Sequence, residues 1–437
     1  MQTRFTEEQY KRPEIREADE ILRKCVHCGF CTATCPTYVI TGDERDSPRG
    51  RIWMMRDMLE SDAPASQETS FHLDRCLTCL SCMTTCPSGV DYMHLAEIGR
   101  DYVHKTTRRP LSDRLLRMML VKILTRAGLF SLALRASKIA QPFARLFPTS
   151  IRAMIRSAPK KLKKLDPIGS TDMTYPAEGK THSRVILLSG CAQRAIEPEI
   201  NSATIRILNR IGVDVIVRKQ ASCCGALAHH IDEPEAAQNA VREVVRAWSH
   251  EISDKQIDAI IVNTSGCGTM LKDYGHLLKD DAELANAAAT ISSLACDITE
   301  FLADSNAISF TRKPNLIVGY HSACSLQHGQ QITHAPKLLL AKAGVEIAIP
   351  KDPHLCCGSA GVYSILQPEL SGQLKHRKLD NLNKLEVDLF VAGNIGCINQ
   401  LADADAPFCH IVQLLDYLSG GPVPPSIQAL PQLLSAE

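Results

Sequence analysis

A chain of 437 residues is long enough for roughly two to four domains with cores of their own, which excludes a disulfide-stapled miniprotein. With 45% hydrophobic and 22% charged residues it has the balance of a globular chain, neither disordered nor fibrous. The net charge of +1, from 49 Lys and Arg against 48 Asp and Glu, gives no reason to expect a nucleic-acid partner.

Residues 1–24 are charged throughout and contain no apolar signal-peptide segment, and no apolar run approaches the ~20 residues that span a bilayer. The expected compartment is therefore the cytoplasm, either free or peripheral on the inner face of the cytoplasmic membrane. Thiols stay reduced there, so 18 cysteines point to metal or redox chemistry and not to disulfides.

Taken in chain order, apolar periodicity predicts helices over 14–24, 51–60 and 92–104, with no strand pattern before residue 106. This is the expected α-helical domain, 1–106. A basic helical segment and linker, 107–180, comes next. Between 101 and 166 the chain carries 16 Lys and Arg against 3 Asp and Glu, with apolar residues at helical spacing from 111 to 156. Two readings stand side by side: an amphipathic pair for an anionic membrane surface or acidic partner, and a plain hairpin with a solvated face. Residues 160–180, rich in charge, Pro, Gly and Ser, read as a domain boundary.

Strand and helix then alternate. Strands are predicted at 185–188, 213–217 and 259–262 with helices at 199–210 and 235–250, and the scheme repeats with strands at 316–318, 345–349 and 389–391 and helices at 335–343 and 369–383. Cys191 and Cys324, Cys223 and Cys356, and Cys224 and Cys357 are each 133 residues apart. The expected architecture is multidomain: the helical domain followed by two duplicated α/β units, 181–305 and 306–437, each with a parallel sheet.

The motif CxxCxxCxxxCP occurs twice, as CVHCGFCTATCP at 25–36 and CLTCLSCMTTCP at 76–87. Three thiolates spaced by two residues can wrap one face of a cubane cluster, and the fourth ligand must come from elsewhere. In two-cluster ferredoxins the last Cys of each run serves the other cluster, since the following Pro turns the chain away. The expected ligand sets are therefore Cys25, Cys28, Cys31 and Cys86 for one [4Fe–4S] cluster and Cys76, Cys79, Cys82 and Cys35 for the other. A pair of structural zinc sites would need only two CxxC pairs. Lys24 and Arg75, just before each run, are candidates for raising the cluster potentials or else plain surface cations.

In each repeat one Cys closes the first strand, a CCG doublet follows the second, and a single Cys follows the third. Cys191, Cys223, Cys224 and Cys267, and Cys324, Cys356, Cys357 and Cys397, should thus converge beyond the carboxyl ends of the strands, where helix N-termini would favour thiolates. They are candidate second cofactor sites, for a further metal or cluster, or redox thiol sites; Gly225 and Gly358 would let the backbone approach what is bound. Cys296 and Cys409 lie outside the matched set and read as core, and His229, His230, His321 and His354 as surface or satisfied core histidines. No dinucleotide, phosphate or hydrolase motif occurs and no catalytic residue is assigned, so a flavin is expected on a partner subunit only.

The stretches CVHCGFCTATCPTY, DRCLTC, TTCPSGV, GCAQ, SCCGA, SGCG, LQH, HLCCGSAG and NIGC, with ERDSPRGRI at 44–52, resemble the glycolate oxidase iron–sulfur subunit family over nearly the whole chain. Subunits of anaerobic glycerol-3-phosphate dehydrogenase, lactate-utilisation complexes and heterodisulfide reductase are less similar. The resemblance implies a two-cluster ferredoxin domain that takes electrons from a flavin-bearing glycolate dehydrogenase subunit, which oxidises glycolate to glyoxylate, and delivers them to a membrane acceptor such as quinone. The alternatives are a thiol–disulfide subunit of the heterodisulfide reductase kind, the iron–sulfur subunit of a lactate or glycerol-3-phosphate dehydrogenase, and a zinc-bound scaffold. Heterodisulfide reductases close each CCG motif with CxxC; here Cys267 is followed by GTM and Cys397 by INQ, which argues against their disulfide chemistry.

Overall fold

The computed structural model describes residues 1–159, 161–254, 256–305 and 307–430; Lys160 of the basic stretch, residue 306 and the end of the second repeat, 431–437, lie outside the described residues. In the run at 185–188, Val185 and Leu187 join one core while Ile186 and Leu188 join another. A strand apolar on both faces belongs inside a sheet covered on both sides. Five strands, β1 (Met173–Tyr175), β2 (Ser183–Leu187), β3 (Val213–Val217), β4 (Ala259–Val262) and β5 (Ala295–Asp297), form the first sheet in the order β1-β3-β2-β4-β5. All neighbours are parallel except β1, which runs antiparallel to β3. The second sheet, β6 (Ile317–His321), β7 (Glu346–Ala348), β8 (Leu389–Ala392) and β9 (Phe408–His410), is wholly parallel in the order β7-β6-β8-β9.

Three strands escape the sequence pattern, each only three residues long, too short to show a period. β1 lies inside 160–180, so that stretch is not simply a linker: it adds an edge strand to the first sheet. β5 and β9 carry Cys296 and Cys409 at their centres, opposite Ile261 and Val391, so these cysteines are a matched pair after all. Their spacing departs from 133 because the first repeat inserts the helices Tyr274–Leu277 and Ala285–Leu294 between β4 and β5. Cys409 is core as expected, while Cys296 is partly exposed.

One apolar core runs between the two sheets, where the helix Glu199–Arg210 packs on the helix Ile411–Leu418. Arg206 and Arg210 close its edge by pairing, at 2.8 and 3.0 Å, with the buried Asp416.

Around the twin cysteine runs the chain is helical: Pro13–Lys24, Pro48–Ser61 and Tyr92–Thr106 enclose a core including Ile15, Leu22, Met55, Leu59 and Leu95. The basic segment forms the helices Leu111–Leu124, Ala127–Ala140 and Thr149–Arg156. Its charge is not uniformly solvated. Arg109 and Arg117 turn inward to Asp74 of the helical domain, at 2.5 and 3.3 Å, and to the buried Asp232 of the first repeat, at 2.8 and 3.3 Å. With these two cations drawn in and the others outside, the segment leaves Leu111, Leu115, Met118, Ile139 and Leu146 facing outward. Among the described residues no helix is long and apolar enough to cross a membrane.

Candidate metal centres and thiol sites

The twin runs fold alike. His27 and Gly29 in the first, and Thr78 and Leu80 at the same positions of the second, all have left-handed backbones, with φ between 50° and 84°. Two such kinks per run bend the chain after each spacer, so that successive sulfurs face one centre. Cys35 and Cys86 then lead into Pro36 and Pro87, and Cys35 caps the helix Pro36–Thr41.

Two cavities result. Cys25, Cys28, Cys31 and Cys86 line the first together with Cys82, and Cys35, Cys76, Cys79 and Cys82 line the second. Each contains one of the crossed sets expected from the motif, and the two share Pro48, Cys82 and Tyr92 as a common wall. The first lies near the surface, with Cys28 exposed beside the exposed Val26 and Phe30; Cys79 and Cys82 of the second are buried. Burial pushes the Cys31 thiol up to about 11 and raises Cys79 and Cys82 well above the ordinary thiol range. Metal binding here must therefore displace protons.

Cys76 behaves differently: burial opposes ionisation, but the Arg51 and Arg100 guanidiniums outweigh it and hold the thiol below its ordinary value. Arg51 is 1% exposed, bonds the carbonyl of His72 at 2.8 Å and Thr37 Oγ1 at 3.2 Å, and lies beside Asp46, which also holds His72 (2.8 Å) and Arg75 (2.5 Å). A buried cation of the second cysteine set is thus Arg51, inside ERDSPRGRI, a stretch to which the cysteine motif assigns no role. Arg75 is engaged by Asp46 and stacks on Phe71, and Lys24 is exposed. Arg51's neighbour Gly50, also in the helix Pro48–Ser61, has no room for a side chain: a Cβ there would lie 2.0 Å from the Glu44 carbonyl, so this close approach of the backbone requires glycine.

In both repeats the cysteines gather beyond the carboxyl ends of the strands. Cys191 and Cys324 follow β2 and β6 as caps of the next helical turns, the doublets follow β3 and β7, and Cys267 and Cys397 sit in the first turns of the helices after β4 and β8. Cys324 Sγ lies 3.8 Å from Cys356 Sγ. Backbone N–H groups at these helix starts favour the thiolates as expected, but they do not decide the outcome throughout. Cys191 is shifted down, by its contact with Cys223 and by the Ala192 N–H, whereas thiol–thiol contacts and burial raise Cys223, Cys224 and Cys324. Gly225 and Gly358 are left-handed, at φ +84, and the groups nearest their missing Cβ atoms are the Ala237 and Ser371 carbonyls. Both admit the close approach of a helix, Pro234–Asp254 at Gly225 and Pro368–Leu382 at Gly358.

Of the four histidines, His229 pairs with Glu97 of the helical domain at 2.8 Å, and His230 is held neutral by burial, its pKa pulled down to about 3. His354 offers its carbonyl to His328 at 3.1 Å. His321 belongs to the thiol site: its ring lies within 4.8 Å of Cys357 and Cys397. The second thiol site also abuts the second cavity, since Cys356 packs in one apolar cluster with Leu77 and Cys79.

This is an iron–sulfur protein: a dicluster ferredoxin-type domain on a duplicated cysteine-rich α/β domain. Residues 24–90 match the 4Fe-4S dicluster domain family, and 185–272 and 318–402 each match the cysteine-rich domain family. The chain is 39% identical over 404 residues, 92% of its length and 95% of the relative's, to the glycolate oxidase iron-sulfur subunit of Escherichia coli (strain K12). It is 31% identical over 401 residues, 87% and 88% of the two chains, to the probable glycolate oxidase iron-sulfur subunit of Bacillus subtilis (strain 168). The chain belongs to the glycolate oxidase iron–sulfur subunit family. Lactate utilization protein A of Oceanobacillus iheyensis is 25% identical over 246 residues, 53% of this chain and 96% of that one. A crystal structure of a hypothetical protein from Helicobacter pylori shares the fold, with TM-score 0.54 at 10% identity, over 95% of this chain and 75% of that one.

Proposed function

We propose that this chain is the electron-transfer subunit of a glycolate-oxidising complex, with one [4Fe–4S] cluster on Cys25, Cys28, Cys31 and Cys86 and a second on Cys76, Cys79, Cys82 and Cys35. The observation that carries this reading is the pair of cavities with a common wall, each lined by one crossed set. The clusters supply one-electron redox chemistry when bound. The thiols of each set hold them, the left-handed kinks aim those thiols, and Arg51 and Arg100 offset the negative charge gathered at the second centre.

A flavin on a partner subunit is the group that removes two electrons from the hydroxyl-bearing carbon of glycolate, giving glyoxylate. The exposed rim at Val26, Cys28 and Phe30 suits electron entry, the buried second centre follows, and its contact with Cys356 continues the path toward the second repeat. Delivery to a membrane acceptor such as quinone is supported by the basic segment, whose exposed Leu111 (80%) and Leu146 (82%) stand among cations and suit a peripheral seat on an anionic bilayer. In this reading 1–106 carries the clusters, 107–180 straps the domains together, and 181–305 and 306–437 are the repeats.

The test is an anaerobic preparation of the full chain, analysed for iron and sulfide and by electron paramagnetic resonance before and after reduction. About eight irons per chain with coupled [4Fe–4S] signals are expected, reduced by glycolate once the flavin subunit is added. An iron-free chain after reconstitution overturns the reading; reduction by lactate and not glycolate moves the substrate.

A further inference from the structure

The two repeats match in backbone but not in what faces their thiols. Val185 of β2 corresponds to Val318 of β6, and at the same offset Leu188 corresponds to His321. Leu188 lies in an apolar core with Cys224, against which Cys267 packs. His321, at the equivalent place, faces the equivalent Cys357 and Cys397. It is 2% exposed, and neither ring nitrogen has a hydrogen-bond partner. Buried imidazole nitrogens are ordinarily paired, and a histidine at a wholly apolar position needs a reason. A buried imidazole with both nitrogens unpartnered offers a lone pair to a metal.

A second difference points the same way. Lys378, 2% exposed and near the Cys357, Cys356 and Cys397 sulfurs, donates to the Asp352 carbonyl at 2.8 Å; the first repeat has Val245 at that offset, buried in apolar surroundings. A buried ammonium beside thiols matches a site whose occupied form is anionic.

We propose that the second repeat, and not the first, holds a single metal ion of the zinc or ferrous class, ligated by His321, Cys357 and Cys397, with the Cys356 thiol, which contacts Cys357, drawn in as the fourth ligand. Tetrahedral ligands at Zn–S ≈ 2.3 Å and Zn–N ≈ 2.0–2.1 Å stand roughly 3.5–3.8 Å apart, inside the 4.8 Å within which the imidazole and the two thiols already lie. The three thiols lose their protons to solvent on binding, no electron is transferred, and the single negative charge of three thiolates and a neutral imidazole around a divalent ion is offset by Lys378. The site extends the proposed function to a third centre beside Cys79, and its test reads separately from the two clusters.

The full-length protein, purified anaerobically, is analysed for zinc, iron and sulfide, with cluster spins counted by electron paramagnetic resonance. The wild type is expected to hold about one metal ion per chain beyond the cluster iron, its X-ray absorption edge showing one nitrogen at ~2.0 Å with sulfurs at ~2.3 Å. His321→Leu and Cys397→Ser lose that ion, His321→Cys keeps it, and Cys224→Ser in the first repeat leaves it in place, all with cluster spins unchanged. Which element's edge carries the mixed shell tells zinc from iron. No additional ion in the wild type, an all-sulfur shell, additional iron with matching sulfide, or metal unchanged in His321→Leu and Cys397→Ser overturns the proposal. Missing cluster spins with the additional ion present would count against the proposed function alone.

Discussion

Arg51 Nη1 lies 4.0 Å from Cys35 Sγ, both groups sealed from solvent. A positive charge at this distance in a poorly screened interior stabilises the more negative, reduced form of a cluster on Cys35. Arg51→Gln should therefore lower the reduction potential of the second cluster and leave the first nearly unmoved, as read by potentiometric titration of the separate signals. It also removes a partner of the buried Asp46, at a cost of about 3–5 kcal/mol in denaturant unfolding. Arg51→Lys keeps the charge and should restore most of the potential. Equal potentials in all three proteins would show that the guanidinium serves packing alone.

The crossed ligand sets make opposite forecasts for the two prolyl-flanked cysteines. Cys35→Ser should abolish the buried centre and Cys86→Ser the one near the surface, each leaving about four irons per chain. Iron analysis with magnetic spectroscopy checks this, and the surviving cluster in Cys86→Ser should be the one sensitive to Arg51→Gln. If Cys35→Ser instead removes the surface centre, each run ligates its own cluster.

His94 clamps the helical domain to the first repeat, its ring nitrogens bonded to Asp91 at 2.7 Å and Asp273 at 2.9 Å and its face stacked on His276 at 3.7 Å. Burial disfavours the imidazolium, but Asp273 and Asp91 outweigh it and raise the pKa to about 10. Since the ordinary value is about 6.5, this contribution to stability is complete below about pH 6.5 and is lost as pH rises through 10. Thermal melts should show the melting temperature falling across that interval. In His94→Gln the fall should be shallower, and an identical slope would place the pH dependence elsewhere.

The outward apolar side chains of the basic segment should bind the protein to vesicles containing anionic lipid. Leu115→Glu combined with Leu146→Glu should weaken flotation by about tenfold or more, since each leucine withdraws a full side chain's worth of apolar burial. Raising the salt should weaken wild-type binding as well, because the cations act through a screened field. Flotation that ignores both changes would assign this face to a protein partner.

Much of this architecture is written in local pattern. The cysteine spacing by itself predicts which eight sulfurs belong together, because three thiols two residues apart can share a centre and a proline after the fourth turns the chain away. The 133-residue offset likewise determined the duplication, and apolar runs located the longer strands.

What the chain could not announce is which charges and which short strands are inside. Arg51, His321 and Lys378 look like surface residues one at a time; they are buried because segments far apart in sequence close over them, and burial is a property of the assembled surface. Arg109 and Arg117 read as solvated members of a basic helix until Asp74 and Asp232, from two other parts of the chain, meet them. β1, β5 and β9 owe their existence to neighbours already in place, because three residues hold a strand only when an adjacent backbone offers the hydrogen bonds. Only the tertiary structure, then, decided where a buried cation meets the second cysteine set and where a histidine meets two thiols. Both depend on distances between residues that no local period records.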